Sequence, residues 1–574
     1  MKRHSLWVAV LCGAVACSSQ TKSGTITADA GGGSAGSGAG GSPGAGGSGE
    51  TGGRATGGSV AGSGGSSGAG GVVGTGGAGA TGGAGGAGGA APAAATGSVV
   101  ERNAHPSRDG HFVQPALTRA RAAGMALTPN FTATYTGQMW ASPLYAENGP
   151  GNRGAFFAAT INNDVIAFDE ATGQTLWTRN LGAPVQMRIC GGTPYPTVGI
   201  FGTPVIDATS RTLYVVNPVG PATITGFFVH ALSLEDGAEK PGWPKDVSQL
   251  ITNFAPAKQN QRSALSLVGG ILYVAFGGHW GDCSPYQGRL LAINVNNPAM
   301  TGNWATSGER AAIWAPGGMA SDGNGVFLIT GDGPRAGGST HQPGGLQDSN
   351  AVLRATGLAV VDRSAANYYY PARWEAMDRA DADFGSNSPI YLTVPGAPRP
   401  GYVAAVSKDG HFYLLDATNL GGMDGHVSDL VFSAGAMSVR TSPTAYTTAG
   451  GVYVAVSTEQ GAMCPGAAVP RAVVGISIPV TGGNVRPAVA WCAPSDGVAM
   501  GTAAPIATTT DGTANPIVWY ISGTKLVGVD GTTGANVVTA TGDCAGVMRF
   551  TAPIAAKGRI LTGGDGRLCS WSAP

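Results

Sequence analysis

The chain has 574 residues and carries 33 Lys and Arg against 33 Asp and Glu, so its formal net charge is zero. That balance excludes charge-driven binding to nucleic acid or another polyanion, while the length allows a large core. Charged residues make up only 11% of the chain and Gly reaches 97 residues, an excess that gathers near the N-terminus.

Lys2 and Arg3 precede a short apolar run from Leu6 to Ala16, too short to span a bilayer, and residues 1–16 read as a secretory signal. The end of the run, "GAVACSSQ", resembles a bacterial lipoprotein processing box, which makes Cys17 the acylated new N-terminus. Ala14 stands where that box usually carries a large aliphatic residue, Cys12 is a bystander, and ordinary cleavage beside Ala16 is the alternative. By the same resemblance, Ser18 and Ser19 after the cysteine point to an outer-membrane lipoprotein facing the periplasm or the cell surface. Residues 17–98 are Gly, Ser, Ala and Thr with almost no large apolar side chain, so they cannot offset the entropy of ordering and read as a tether. The remaining domain spans 99–574.

Six cysteines lie in that domain, and an even set in an exported chain favours disulfides over thiols or a zinc site. The expected pairs are Cys190 with Cys283, Cys464 with Cys492 and Cys544 with Cys569, although sequence alone does not fix connectivity.

The stretch "AFFAATINNDVIAFDEATGQTLW" (155–177) reads as strand, tight turn, strand, then Thr-Gly and a tryptophan. It returns as "IVWYISGTKLVGVDGTTGANV", where Asp530, Thr533 and Gly534 keep the offsets of Asp169, Thr172 and Gly173, and degenerate copies lie between. A strand opener also recurs, from Ser142-Pro143 and Thr203-Pro204 to Ser442-Pro443 and Ala552-Pro553, at a mean interval of about 60 residues. Short alternating runs without sustained helical period predict an all-β closed propeller of about eight four-stranded blades, with seven as the alternative. One helix is expected, in "ALTRARAAGM" from Ala116. The last copy stops short of an outermost strand, and Asn130 to Trp140 is expected to supply it and tie the ring closed. Trp177 is expected between adjacent blades with its indole N–H on a backbone carbonyl.

"AFDEATGQTLW" is similar to the tryptophan-docking repeats of pyrroloquinoline quinone (PQQ) dehydrogenases and of non-catalytic relatives, such as the propeller lipoprotein of outer-membrane barrel assembly. Segments such as "GTPVIDATSRTLYVV" and "DADFGSNSP" resemble uncharacterised bacterial quinoprotein-like proteins. The resemblance covers the chain from about Arg108 to Pro574 and implies a quinoprotein-like propeller; the same ring hosts enzymes and scaffolds.

For the catalytic relatives it implies a set of candidate residues. Trp314 matches the tryptophan that forms the quinone floor, and Asp332 stands where an Asn ligates calcium. Asp381 in "DADFGSNSP" matches the base, with Asp383 its neighbour, and Lys408 matches the cation that faces the cofactor. Arg262, with Gln261, is placed at one mouth of the channel as a cofactor contact, and His279 and Asp282 stand near the place of an expected glutamate ligand. The chain departs from these enzymes in lacking adjacent cysteines, that glutamate and a heme-attachment motif. Structural readings stand beside the functional ones: Trp314 as core or channel packing, Asp332 and Asp409 as turn caps, Asp381 and Asp383 as ion-pairing between blades, and Lys408 as their partner.

Two functions follow. The first is a lipid-anchored binding or scaffold module of the cell envelope, with no certain cofactor and an envelope protein or polymer as partner. The second is a PQQ- and calcium-dependent dehydrogenase oxidising an alcohol or sugar. A monomer is expected in either case.

Overall fold

The computed structural model describes residues 97–189, 193–194, 197–279, 285–333, 346–435, 437–498 and 501–574. Cys17, most of the expected tether, Asp282 and the Cys190–Cys283 pair lie outside these residues.

The repeat writes an eight-bladed β-propeller. In the first blade β3 (Leu144–Ala146), β4 (Ala155–Ala159), β5 (Asp164–Asp169) and β6 (Thr175–Asn180) form an antiparallel meander in the order β3-β4-β5-β6. All five residues of β4 are buried, because a blade inside a closed ring has a neighbour on each face. The apolar clusters are accordingly interfaces between blades. One joins Phe157 and Ala167 of the first blade to Ile206 and Leu213 of the second; another joins Val403 and Leu415 of the fifth to Phe327 and Ile329 of the fourth. Trp177 sits as its repeat position requires, its indole N–H donating to the Leu234 carbonyl at 3.0 Å, and Trp491 repeats the bond to Gly531. Cys464–Cys492 and Cys544–Cys569 are disulfides.

The ring closes a few residues earlier in the chain than expected. The outermost strand of the eighth blade is β2 (Ala126–Leu127), paired antiparallel with Ser572 and Trp571. Asn130 to Trp140 instead passes over that blade, bridging Thr134 to Arg567 and bonding the Tyr135 hydroxyl to the Gly564 carbonyl at 2.7 Å. The expected helix is a single turn, α1 (Arg119–Ala122), capped by the Thr118 hydroxyl, which accepts from the Arg121 N–H.

The repeats do not foretell residues 99–114. This segment visits the innermost strand of every blade. Val99 exchanges backbone bonds with Tyr145, and the carbonyls of Val100, Pro106, Ser107, Asp109 and Gly110 accept from Ile206, Ser321, Tyr391, Ala445 and Ala507. The third blade is held by Arg108, which donates to the Leu265 carbonyl at 2.9 Å, and the eighth by Gln114 on the Ala555 carbonyl. Strand β1 (His111–Val113) lies parallel along the innermost strand of the seventh blade. Inner strands present an unpaired edge to the channel, and this one segment satisfies them in turn. Arg102, Asn103 and Arg108 are buried, so the channel is plugged.

A clasp on the plug gives a pH test. His105 Nδ1 lies 2.8 Å from Asp109. Burial opposes the charge on each, but each outweighs it for the other: the His105 pKa rises above 6.5 and that of Asp109 falls below 3.8. The raised imidazole contributes stability below its unfolded value, lost as pH rises through the folded one. The depressed carboxyl contributes above its unfolded value, lost as pH falls through the folded one. His105→Ala should therefore cost most between about pH 4 and 6.5, by under about 1 kcal/mol because His105 is half exposed, and nothing well above that range. Denaturant melts of variant and wild type across pH check this; a constant difference would rule it out.

Candidate functional site

The chain enters each innermost strand from the same mouth of the channel, and the residues just ahead of those strands gather there. Arg262 precedes the inner strand of the third blade, Trp314 that of the fourth, Asp381 and Asp383 that of the fifth, Met437 and Arg440 that of the sixth, and Arg549 and Phe550 that of the eighth. Asp332 and Lys408 follow the second strands of the fourth and fifth blades. Arg262, His279, Trp314, Asp381, Lys408, Arg440, Arg549 and Phe550, with Ser386 and Met437, line one cavity of about 100 Å³.

Trp314 is fixed by close approach on both sides. Its indole N–H donates to the Gly278 carbonyl at 2.8 Å. A Cβ on Gly277 would lie 2.5 Å from its Cδ1, and one on Gly331 would lie 2.9 Å from its Cζ3, so neighbouring blades must offer glycine here. Cations stand over its ring: the Arg262 guanidinium carbon at 4.9 Å from the centroid and Lys408 Nζ at 5.8 Å.

Three carboxylates stand beside it. One oxygen from each of Asp332, Asp381 and Asp383 lies within 4.8 Å of the others. Asp381 closes the helix Trp374–Ala380 in the left-handed conformation, φ 53°, which Asp tolerates better than most residues. The turn aims it back toward Lys408, whose Nζ donates to Asp381 at 2.6 Å and also pairs with Asp383. Asp383 is fully buried and Asp332 nearly so, whereas the Asp381 side chain is 41% exposed; of the three, Asp381 opens to the cavity. Burial and then the neighbouring Asp383 push the Asp332 pKa well above its usual value, against the pull of Lys408. Burial disfavours the Lys408 ammonium, but Asp383, Asp381 and Asp332 outweigh it and its pKa rises. Burial, Arg262 and Lys258 push His279 down to about 4, so it is neutral at physiological pH.

Arg262, Trp314, Asp332, Asp381 and Lys408 thus converge, and the structural reading of Lys408 as carboxylate partner holds at the same time. Gln261 is turned inward, its amide on the Ser263 carbonyl. Asp409 pairs with Arg373 and accepts from the Ser407 hydroxyl at 2.5 Å, and among the described residues it caps no backbone N–H. Sequence reading missed Arg440, Arg549 and Phe550. Their signal was position, since all three lie two or three residues ahead of the openers Ser442-Pro443 and Ala552-Pro553, as Arg262 lies one ahead of Ser263.

Solved structures similar to this chain include PQQ-type dehydrogenases. The quinohemoprotein alcohol dehydrogenase of Comamonas testosteroni superposes with a TM-score of 0.54 at 15% identity, over 83% of this chain and 81% of its own. The fold is that of the quinoprotein propellers. A quinohemoprotein alcohol dehydrogenase of Pseudomonas putida matches with a TM-score of 0.53 at 12% identity, over 83% and 80% of the two chains. A europium-containing methanol dehydrogenase gives 0.54 at 13%, over 81% and 90%. At such identities the likeness is one of fold. No family model and no curated protein matches this chain.

The donor set can be tested against a metal. Oxygen ligands at about 2.3–2.6 Å from a calcium-sized ion stand up to about 5 Å apart across it, so three carboxylate oxygens within 4.8 Å of one another fit one ion. Lys408 competes, since it already neutralises two of the three.

Proposed function

We propose that this chain is an exported, lipid-anchored dehydrogenase that uses PQQ and a metal ion to oxidise an alcohol or sugar hydroxyl. The observation that supports it is the convergence of Trp314, Asp381 and Lys408 on one cavity, with the buried Asp332 beside Asp381. Bound there, the quinone would supply a hydride acceptor and the metal a Lewis acid.

The chain's own residues divide the rest of the work. Trp314 offers a rigid aromatic face, Asp332, Asp381 and Asp383 would hold the metal, and Arg262 and Arg549, beside an Arg440 that pairs with Glu459, give a cationic rim that suits an anionic cofactor. Asp381, open to the cavity and held by Lys408, takes the proton of the substrate hydroxyl. Acylation of Cys17 would anchor the chain at the outer membrane.

The binding or scaffold reading is favoured by one observation. The cavity, about 100 Å³, falls below the roughly 300–1,000 Å³ of small-molecule sites, and Arg262 stands over the Trp314 face. Calorimetric titration of the full mature chain with PQQ, with calcium, with europium(III) and with neither, separates the two readings. Metal-dependent binding that weakens by about tenfold or more in Trp314→Ala is the expected result, the effect of one lost stacking face. No binding under any condition would leave the scaffold.

A further inference from the structure

Arg262 is held between two rings. Its guanidinium carbon lies 4.9 Å from the Trp314 centroid and 4.7 Å from that of Phe550, which approaches from the eighth blade, on the other side of the channel mouth. Arg549 flanks the same ring at 4.8 Å. A planar cation in a gap between aromatic faces marks a slot one planar group thick.

Phe550 is placed there at a cost to its backbone. Its φ is 75°, in the left-handed region that a bulky side chain seldom adopts, and such strain persists where the surroundings impose it. The plug imposes it here: the buried Arg102 guanidinium donates to the Phe550 carbonyl at 2.7 Å and to the Ser142 hydroxyl at 2.7 Å. Trp140, itself stacked on Phe201, backs the ring at 5.8 Å between centroids. Segments distant in sequence thus hold one aromatic side chain at the cavity wall.

We infer that Phe550 is the second wall of a slot for a planar aromatic anion, opposite Trp314, and that Arg262 fills the slot until such a ligand displaces it and then pairs with the ligand's negative charge. The inference rests on the cofactor reading above and adds to it the wall and the displaced group. It accounts for part of the small cavity, because the guanidinium occupies space between the rings that a planar ligand would take.

The test uses the full mature chain with the metal that supports binding, and two probes: PQQ, a planar tricarboxylate, and phenanthrenequinone, a planar tricycle without charge. Affinity is read by calorimetry and by quenching of tryptophan fluorescence. Phe550→Leu keeps the apolar packing and removes the flat face; it should weaken PQQ by about tenfold or more with the melting temperature little changed. Arg262→Met removes both the place-holder and the counter-charge, so PQQ should weaken while phenanthrenequinone tightens several-fold. Wild-type affinity for PQQ in Phe550→Leu would overturn the second wall and leave the cofactor reading standing. Unchanged affinity for both probes in Arg262→Met would overturn the displacement. If the wild-type chain takes up no PQQ with any metal, the cofactor reading and the slot fall together.

Discussion

Asp381→Asn should lower the turnover of an alcohol by about a thousandfold while PQQ still binds, a loss within the range of removing a general base. The substitution keeps the shape of the side chain and an oxygen ligand, so what goes is the ability to accept a proton. Position decides which of the three carboxylates matters for this step. Asp383 and Asp332 are buried, and only Asp381 reaches the cavity, on the left-handed turn that ends its helix. The readout is a split: kcat falls, while the calorimetric affinity for PQQ stays within a few-fold. A variant that turns over at the wild-type rate would remove Asp381 from the chemistry.

Arg108→Met should destabilise the whole ring by about 3–5 kcal/mol, the usual consequence of removing one partner from a buried ion pair. Arg108 lies 3.0 Å from Glu101, both buried, and donates to the carbonyls of Met319, Arg102 and Leu265 and to the Ser266 hydroxyl. The variant therefore strands a carboxylate and several acceptors at once. Burial already raises the Glu101 pKa against the pull of Arg108, and without that pull it rises further. A raised carboxyl contributes stability at low pH that is lost as pH rises through its folded pKa, so the penalty should be smaller near pH 4 than at pH 7. Urea denaturation at both values checks size and sign. Adding Glu101→Gln should recover part of the loss at pH 7 and little at pH 4, since the carbonyls remain without a donor.

How much of this was legible depends on whether a feature repeats. The offsets of Asp169, Thr172 and Gly173 recur near Asp530, and from that recurrence and the strand openers the propeller and about eight blades follow, with seven left open; the girdle place of Trp177 follows from its repeat. Trp314, Asp332, Asp381 and Lys408 were singled out by resemblance, and the fold brings them together, because each lies at the end of a strand or in a loop at the same mouth. Closure was placed late because β2 is only two residues long and carries no alternating pattern to mark it. The plug was invisible for a related reason. Its bonds are mostly backbone carbonyls, which every residue has, so nothing in "VVERNAHPSRDGHFVQ" announces eight partners. Phe550 escaped notice because its neighbour across the slot lies more than two hundred residues away, a distance that only ring closure abolishes.

The plug has a consequence for traffic. A propeller bored through its axis has two doors, so that one species could arrive by one and depart by the other. Residues 99–114 shut one of them in every blade, and Arg102 of that segment reaches the very residue that walls the cavity. What remains is a vestibule with a single entrance, where arrival and departure share one path. If the site is the dehydrogenase centre proposed above, a substrate would have to leave before whatever re-oxidises the site could take its turn, and a long polymer could present only its end.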